Sequence, residues 1–430
     1  MKVLWQRAHA AARSELVQKI SAVFLTQVAR LVMSFAGSVI VTRMLGPTNR
    51  GFFALATATG ALGVQFANLG LHTSNTYFAA RRPQSLPSLL GNTLFVSFVF
   101  GGIVSVALWF VAHFYGVIGL RGSILLLGLT WIPFGLAYLL GQNLLMGIQR
   151  VSEYNYGEIL SKALPLVLIA GLLMAHIRSV NALFGTMLAG LAAGCGFVYF
   201  HLLKNVNSKP QVSLSFMREN IGYATRAYLA AFFCFLVIRS DLFLVQMKSG
   251  VEQAGYYSVA VTLAETFSLL PASVATILFP RFSGSLDFSE KLQLLRKVSI
   301  GTGCVLILAL SMIALFSRFA IVTLFGPAFA PSSLAFILLL PGIFFLGMHS
   351  VIVQLLNGIG YPKSVVFIWG GCALLNISVN LFVIPRYGIA GASVTSSISY
   401  FLAFAFVAGV ILRMRIAAAA MPIMEEVSIA

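Results

Sequence analysis

The sequence predicts an all-α polytopic membrane protein of about twelve transmembrane helices, arranged as two six-helix lobes related by a pseudo-two-fold axis along the membrane normal. Three observations carry that expectation. Of the 430 residues, 59% are hydrophobic and only 9% charged, with a mean hydropathy of +0.94. A soluble domain carries about 25% charged residues, so this chain cannot cover a water-facing surface. Apolar runs follow one another from end to end, and short motifs recur at a nearly constant offset.

The first basic stretch holds Lys2, Arg7, Arg13 and Lys19. The apolar run behind it, near residues 20–42, lacks the short core and cleavage pattern of a secretory signal and is expected to stay as a span. Further spans are expected near 52–80, 88–115, 122–147, 159–177 and 181–203, and then near 221–247, 255–280, 298–317, 332–357, 363–384 and 389–412. Each run is far longer than the roughly ten-residue alternating strand of a membrane barrel, so the bundle is helical. The longest hydrophilic break, residues 204–220, divides the spans six and six. The expected organisation is therefore a lobe over 1–203, a cytoplasmic linker over 204–220 and a second lobe over 221–430.

The halves echo each other. LGPTNRGFFALAT resembles KSGVEQAGYYSVAV, with Gly46 and Gly51 against Gly250 and Gly255; LLMGI at 144–148 matches LLNGI at 355–359; Arg178 matches Arg386. Six-span repeats share one membrane orientation, and two such lobes can rock to give alternating access. With a cytoplasmic N-terminus, 19 Lys and Arg residues fall on the cytoplasmic side and 7 on the other. That bias places both termini in the cytoplasm. In a membrane protein it accounts for the net charge of +17 without a nucleic-acid partner.

No nucleotide-binding loop, zinc-protease or serine-hydrolase motif occurs, so no enzymatic activity, cofactor or metal is expected. Cys195, Cys234, Cys304 and Cys372 each stand alone inside apolar runs and read as small core residues. The informative residues are polar ones within spans, because a charge at a helix centre costs at least about 2.5–3.5 kcal/mol. The first span carries Gln27, Arg30, Ser34 and Ser38 on one face, and the second repeats the device with Gln65, Asn68, His72 and Asn75. Arg239 and Asp241 lie in the seventh span, two apart and so on different faces. Glu265 in the eighth reads as the most isolated carboxylate, and Gln354, Asn376 and Asn380 add polar atoms to the tenth and eleventh. Each could simply bond a neighbouring helix, or together they could line a hydrated cavity. The acids of the first half, Glu15, Glu153 and Glu158, are placed near span ends, leaving Arg30 without a central carboxylate and suited to an anionic ligand such as a diphosphate. Asp241 and Glu265 are candidates for a coupling proton or cation.

The sequence resembles the oligosaccharide flippases of bacterial polysaccharide biosynthesis, within the multidrug/oligosaccharidyl-lipid/polysaccharide exporter superfamily. The resemblance rests on RMLGPTNRGFFAL, NLGLHTSNTYFAAR, RSDLFLVQMKSGVEQAGYYSVAVTLAETFSLLPASVATILFPR, LFGPAFAPSSLAFILLLPG, LLNGIGYPK and NISVNLFVIPRYGIAGASVTSSISY, in that order over nearly the whole chain. It implies a cargo of polyprenyl-diphosphate-linked oligosaccharide, passed across a bacterial inner membrane for surface polysaccharide biosynthesis. It also implies that Arg30, Arg239 and Asp241 lie along the central cavity. Expected partners are that lipid-linked oligosaccharide, the membrane lipids, and a polysaccharide polymerase with its chain-length machinery. An ion-coupled multidrug or metabolite antiporter of the same superfamily stays open as the alternative. A membrane glycosyltransferase or polymerase would need a larger extramembrane loop with clustered acids.

Overall fold

The computed structural model describes residues 2–116, 118–206, 208–284, 287–360 and 363–429, with side chains from 25 to 416 except 223 and 226. Every long regular element among them is a helix, as hydrocarbon surroundings require of a chain whose backbone groups must be satisfied within each segment. In order these are α1 (Lys2–Asn68), α2 (Leu71–Arg81), α3 (Leu86–Phe95), α4 (Gly101–Tyr115), α5 (Gly122–Gly147), α6 (Val151–Met174) and α7 (Val180–Lys204). They continue with α8 (Leu214–Ser249), α9 (Val251–Thr266), α10 (Leu269–Ser283), α11 (Phe288–Leu315), α12 (Ser317–Phe325), α13 (Ser332–Gly358) and α14 (Lys363–Ile429). A π-helical stretch, Val96–Phe100, joins α3 to α4 within one apolar segment.

Among the described residues nine helices are long and apolar enough to cross a membrane, or ten when α9 and α10, bent by 44°, count as one broken span. Two of the nine are long because they run through a glycine kink. Gly46 interrupts α1 with φ 70° and ψ 177°, just before Pro47, and Gly388 interrupts α14 with φ 57° and ψ −140°. Dividing both there gives eleven apolar segments among the described residues, or twelve with the bent pair counted as one span, against about twelve expected from the sequence.

The chain separates into two compact units, Met1–Thr225 and Arg226–Ala430. The repeated motifs adopt repeated geometry. Gly250 takes φ 91° and ψ 170°, close to Gly46, so the two Gly-initiated turns are the same backbone device. Both lie in a region that only glycine enters cheaply. Gly147 ends α5 against α2, where an added Cβ would come within 2.6 Å of Ala79 and 2.9 Å of the Thr76 carbonyl oxygen. Gly358 ends α13 against α10, where a Cβ would meet the Phe282 backbone at 2.8 Å. The matching glycines therefore allow the matching close approach in each unit, the helix contact that membrane bundles favour.

Each unit has its own core. In the first, Leu89, Leu90, Leu144, Leu145 and Val198 are buried around Phe78 and Tyr199. In the second, α13 is the most enclosed span, with 61% of its most apolar stretch buried, and Val351, Leu355 and Leu356 pack with Trp369 and Tyr400. The hydrophilic stretch 204–220 is held along α3 within the first unit. Gln211 N donates to Pro87 O at 3.2 Å, Asn92 Nδ2 donates to Ser213 O at 3.0 Å, and Ser213 N donates to Asn92 Oδ1 at 2.8 Å. Gly91 makes the approach possible, since a Cβ there would lie 2.3 Å from Gln211 O.

Candidate substrate and ion sites

In the first unit Arg30, in the α1 segment ahead of Gly46, finds an acid. Its Nη1 lies 3.1 Å from Glu158 Oε2 on α6. Sequence reasoning places Glu158 at a span end because it starts that span at residue 159. The helix begins at Val151, so Glu158 sits two turns inside and is buried. The expectation of an Arg30 without a carboxylate is corrected accordingly. Glu158 is also the hub of a wider set: Tyr138 Oη donates to its Oε1 at 3.1 Å and Gln142 Nε2 lies 3.4 Å from the same oxygen. Gln142 Nε2 donates to Tyr138 Oη at 2.7 Å, and Tyr138 Oη lies 3.3 Å from Ser161 Oγ. The Arg30 side chain stays 42% exposed while that of Glu158 is 10% exposed. The guanidinium is thus anchored at Nη1 while the side chain stays partly exposed.

The other polar positions of this unit are more structural. Asn68 and His72 bond each other, Nδ2 to Nδ1 at 2.6 Å, and Asn68 Oδ1 also accepts from His72 N at 3.2 Å. Asn75 is buried, donating to Thr93 Oγ1 at 2.9 Å and accepting from Asn220 Nδ2 at 3.2 Å. Gln27 is half-buried, one turn ahead of Arg30.

In the second unit Arg239 on α8 pairs with Glu265 on α9, Nη2 to Oε2 at 3.0 Å. Glu265, expected to be isolated, is thus an ion-pair partner, and the pair is half-buried at 34% exposure on each side chain. Both line a cavity of about 320 Å³ whose wall also includes Tyr257, Ser268, Leu339 and Tyr400. Asp241, two residues along, faces elsewhere, as the helical spacing requires. It is 2% exposed and accepts from the Tyr257 hydroxyl, from Ser396 Oγ at 3.0 Å and from Leu242 N at 2.7 Å.

Asn376 and Asn380 sit beside Ser240, next to Asp241 in sequence. Asn376 Nδ2 donates to Ser399 Oγ at 3.1 Å, Asn380 Nδ2 donates to Asn376 Oδ1 at 3.1 Å, and Ser240 Oγ lies 3.5 Å from the same Oδ1. Asp241 through Ser396, and Ser240 through Asn376, thereby each link α8 to α14. Gln354 stands apart from it, bonding the Ser350 carbonyl at 3.1 Å and Asn357 at 3.3 Å along its own helix. The residues that sequence reasoning passed over are Tyr138, Gln142, Glu158, Tyr257 and Ser396. The available signal for the first cluster was Glu158, Ser161 and Lys162 leading straight into the apolar run that begins at Ala163.

The profile of the polysaccharide biosynthesis protein family matches residues 40–334, more than half of the chain. Among curated proteins, the uncharacterized membrane protein MJ1068 of Methanocaldococcus jannaschii is 30% identical over 156 residues, covering 36% of this chain and 31% of its own. A Shigella flexneri protein with the provisional name O-antigen transporter is 22% identical over 168 residues, covering 39% of this chain and 40% of its own. The matches thus span well under half of those relatives' length. Among solved structures, an inward-facing multidrug resistance transporter of the MATE family and MOP superfamily superposes with a TM-score of 0.73 at 13% identity, over 90% of this chain and 95% of that one. The lipid II flippase MurJ in an inward closed conformation gives 0.70 at 14% identity, over 91% and 86%. At such identities these two structures speak to the fold alone, and it is the transporter fold that the motifs led us to expect. The chain is a multi-pass membrane protein that belongs to the polysaccharide biosynthesis protein family.

Proposed function

We propose that the protein is a flippase that moves polyprenyl-diphosphate-linked oligosaccharide repeat units across the bacterial inner membrane by alternating access, for surface polysaccharide biosynthesis. The observation that carries this reading is the partly exposed side chain of Arg30, anchored at Nη1 by Glu158, whose guanidinium suits a diphosphate. Arg239, held by Glu265 at the edge of a cavity, repeats the arrangement in the second unit. The family match and the name of the Shigella relative support it. Asp241 and Glu265 are the groups we assign to ion coupling, and both termini are placed in the cytoplasm. A polymerase and its chain-length machinery are the expected neighbours in the membrane.

The test is a strain lacking the gene, assayed for lipid-linked saccharides and surface polysaccharide. Accumulated lipid-linked repeat units with loss of surface polymer support the proposal. Normal amounts of both, in a strain with no second flippase, overturn it.

One observation favours the alternative. An ion-coupled antiporter requires a carboxylate inside the first unit, and Glu158 is such a group. Glu158→Gln separates the two readings. An antiporter with that change loses drug or metabolite efflux, whereas the flippase keeps Arg30 for the cargo and retains most export.

A further inference from the structure

At one end of the second unit, the start of α11, the later part of α13 and residues 404–415 of α14 line a pocket of about 470 Å³. It shares no lining residue with the cavity at Arg239. Its wall is split by chemistry. Arg296 and Arg415 supply the positive charge, with Ser289 and Gln293 beside them, while Ile352 and Phe404 belong to an apolar remainder. Ser299 Oγ, also on the wall, is buried without a hydrogen-bond partner.

Among the described residues none of the ion pairs involves Arg296 or Arg415. The nearby acids are committed elsewhere: Asp287 and Glu290 close the capping box at the N-terminus of α11, with Glu290 Oε2 accepting from Asp287 N at 3.2 Å. Arg281, Lys297 and Arg413 are exposed at the same end. Two guanidiniums with no carboxylate paired to them among the described residues, above an apolar wall, match an amphiphile whose head is an anion. Basic pockets between spans at a membrane surface bind anionic headgroups for this reason. A free inorganic anion would satisfy the arginines but leave the apolar wall against water.

We propose that this pocket binds an anionic phospholipid, with its phosphate between Arg296 and Arg415 and the first part of an acyl chain along Ile352 and Phe404. Ser299 contributes a hydrogen bond to the headgroup side. The site is independent of the transported cargo and of the transport reading.

The test uses the full-length protein, delipidated in a neutral detergent, with lipid binding read by native mass spectrometry and by the thermal unfolding midpoint. Phosphatidylglycerol is expected to bind and raise the midpoint, and phosphatidylcholine to do neither. Removing both charges in the Arg296→Gln, Arg415→Gln double variant should weaken phosphatidylglycerol binding about 25-fold, from the attraction each basic residue near an anionic surface supplies. Ala408→Phe, which fills the pocket and leaves its charges in place, should abolish binding. Arg318→Gln, outside the pocket, should change nothing. If the double variant fails to fold, Ala408→Phe decides. Equal binding of the two lipids, or unchanged binding in Ala408→Phe, overturns the proposal. Displacement of phosphatidylglycerol by millimolar inorganic phosphate would reveal a small-anion site instead and also overturn it.

Discussion

Arg30 Nη1 and Glu158 Oε2 lie 3.1 Å apart although 128 residues separate them in sequence. The pair ties α1 to α6 and sets the polarity of the first unit. A lone cation there would bear the full cost of leaving water, and the carboxylate offsets it. The same carboxylate collects Tyr138 and Gln142, so losing its charge disturbs more than one contact.

The first prediction concerns this pair. Arg30→Ala should abolish export of the cargo while leaving the protein in the membrane. It should also lower stability by about 1–2 kcal/mol, below the range for fully buried pairs because the arginine is partly exposed. Adding Glu158→Gln should restore part of that loss, with a coupling of about 0.5–2 kcal/mol in a double-mutant cycle. Additive losses in thermal or denaturant unfolding would mean that the pair is not coupled.

The second concerns Asp241. Its carboxylate accepts three hydrogen bonds in a buried setting, and an amide in its place removes the charge they stabilise and turns one acceptor into a donor, which forces the Tyr257 and Ser396 hydroxyls to rearrange. Asp241→Asn should cost about 1–3 kcal/mol of stability. It should also remove the response of transport to the coupling ion, measured as uptake against imposed proton and sodium gradients. Retained ion dependence in the variant would transfer that role to Glu265.

The third concerns the clamp on residues 204–220. Gly91→Ala puts a methyl group against the Gln211 backbone, which cannot swing aside like a side chain. A loss of about 1–3 kcal/mol is expected, as for other overpacked contacts. Gly196→Ala in α7, with nothing within 4 Å of its Cβ, is the control and should cost nothing measurable. Equal melting temperatures for the two variants would refute the clamp.

The fourth concerns the repeated turn. Gly46→Ala and Gly250→Ala should each cost about 1–3 kcal/mol, because both positions require a backbone region nearly closed to other residues. Gly102→Ala, helical and uncrowded, should be neutral by the same unfolding measurement. A large difference between the first two would mean that the two turns are not equivalent.

The sequence by itself determined the class of structure. Runs of apolar residues too long for strands and too poor in charge for a soluble surface admit only membrane helices, so the segments and the repeat in Gly46 and Gly250 were legible from local pattern alone. The ionisable residues placed inside such runs, Arg30, Arg239, Asp241 and Glu265, were legible as positions too. Their partners were not. Arg30 meets Glu158, Arg239 meets Glu265 across two helices, and Asp241 meets Tyr257 and Ser396 because packing brings distant helices into register. Only the tertiary structure decided those contacts, since a hydrogen bond depends on separation in space and facing of two helices, and an error of two turns in a helix start was enough to hide Glu158.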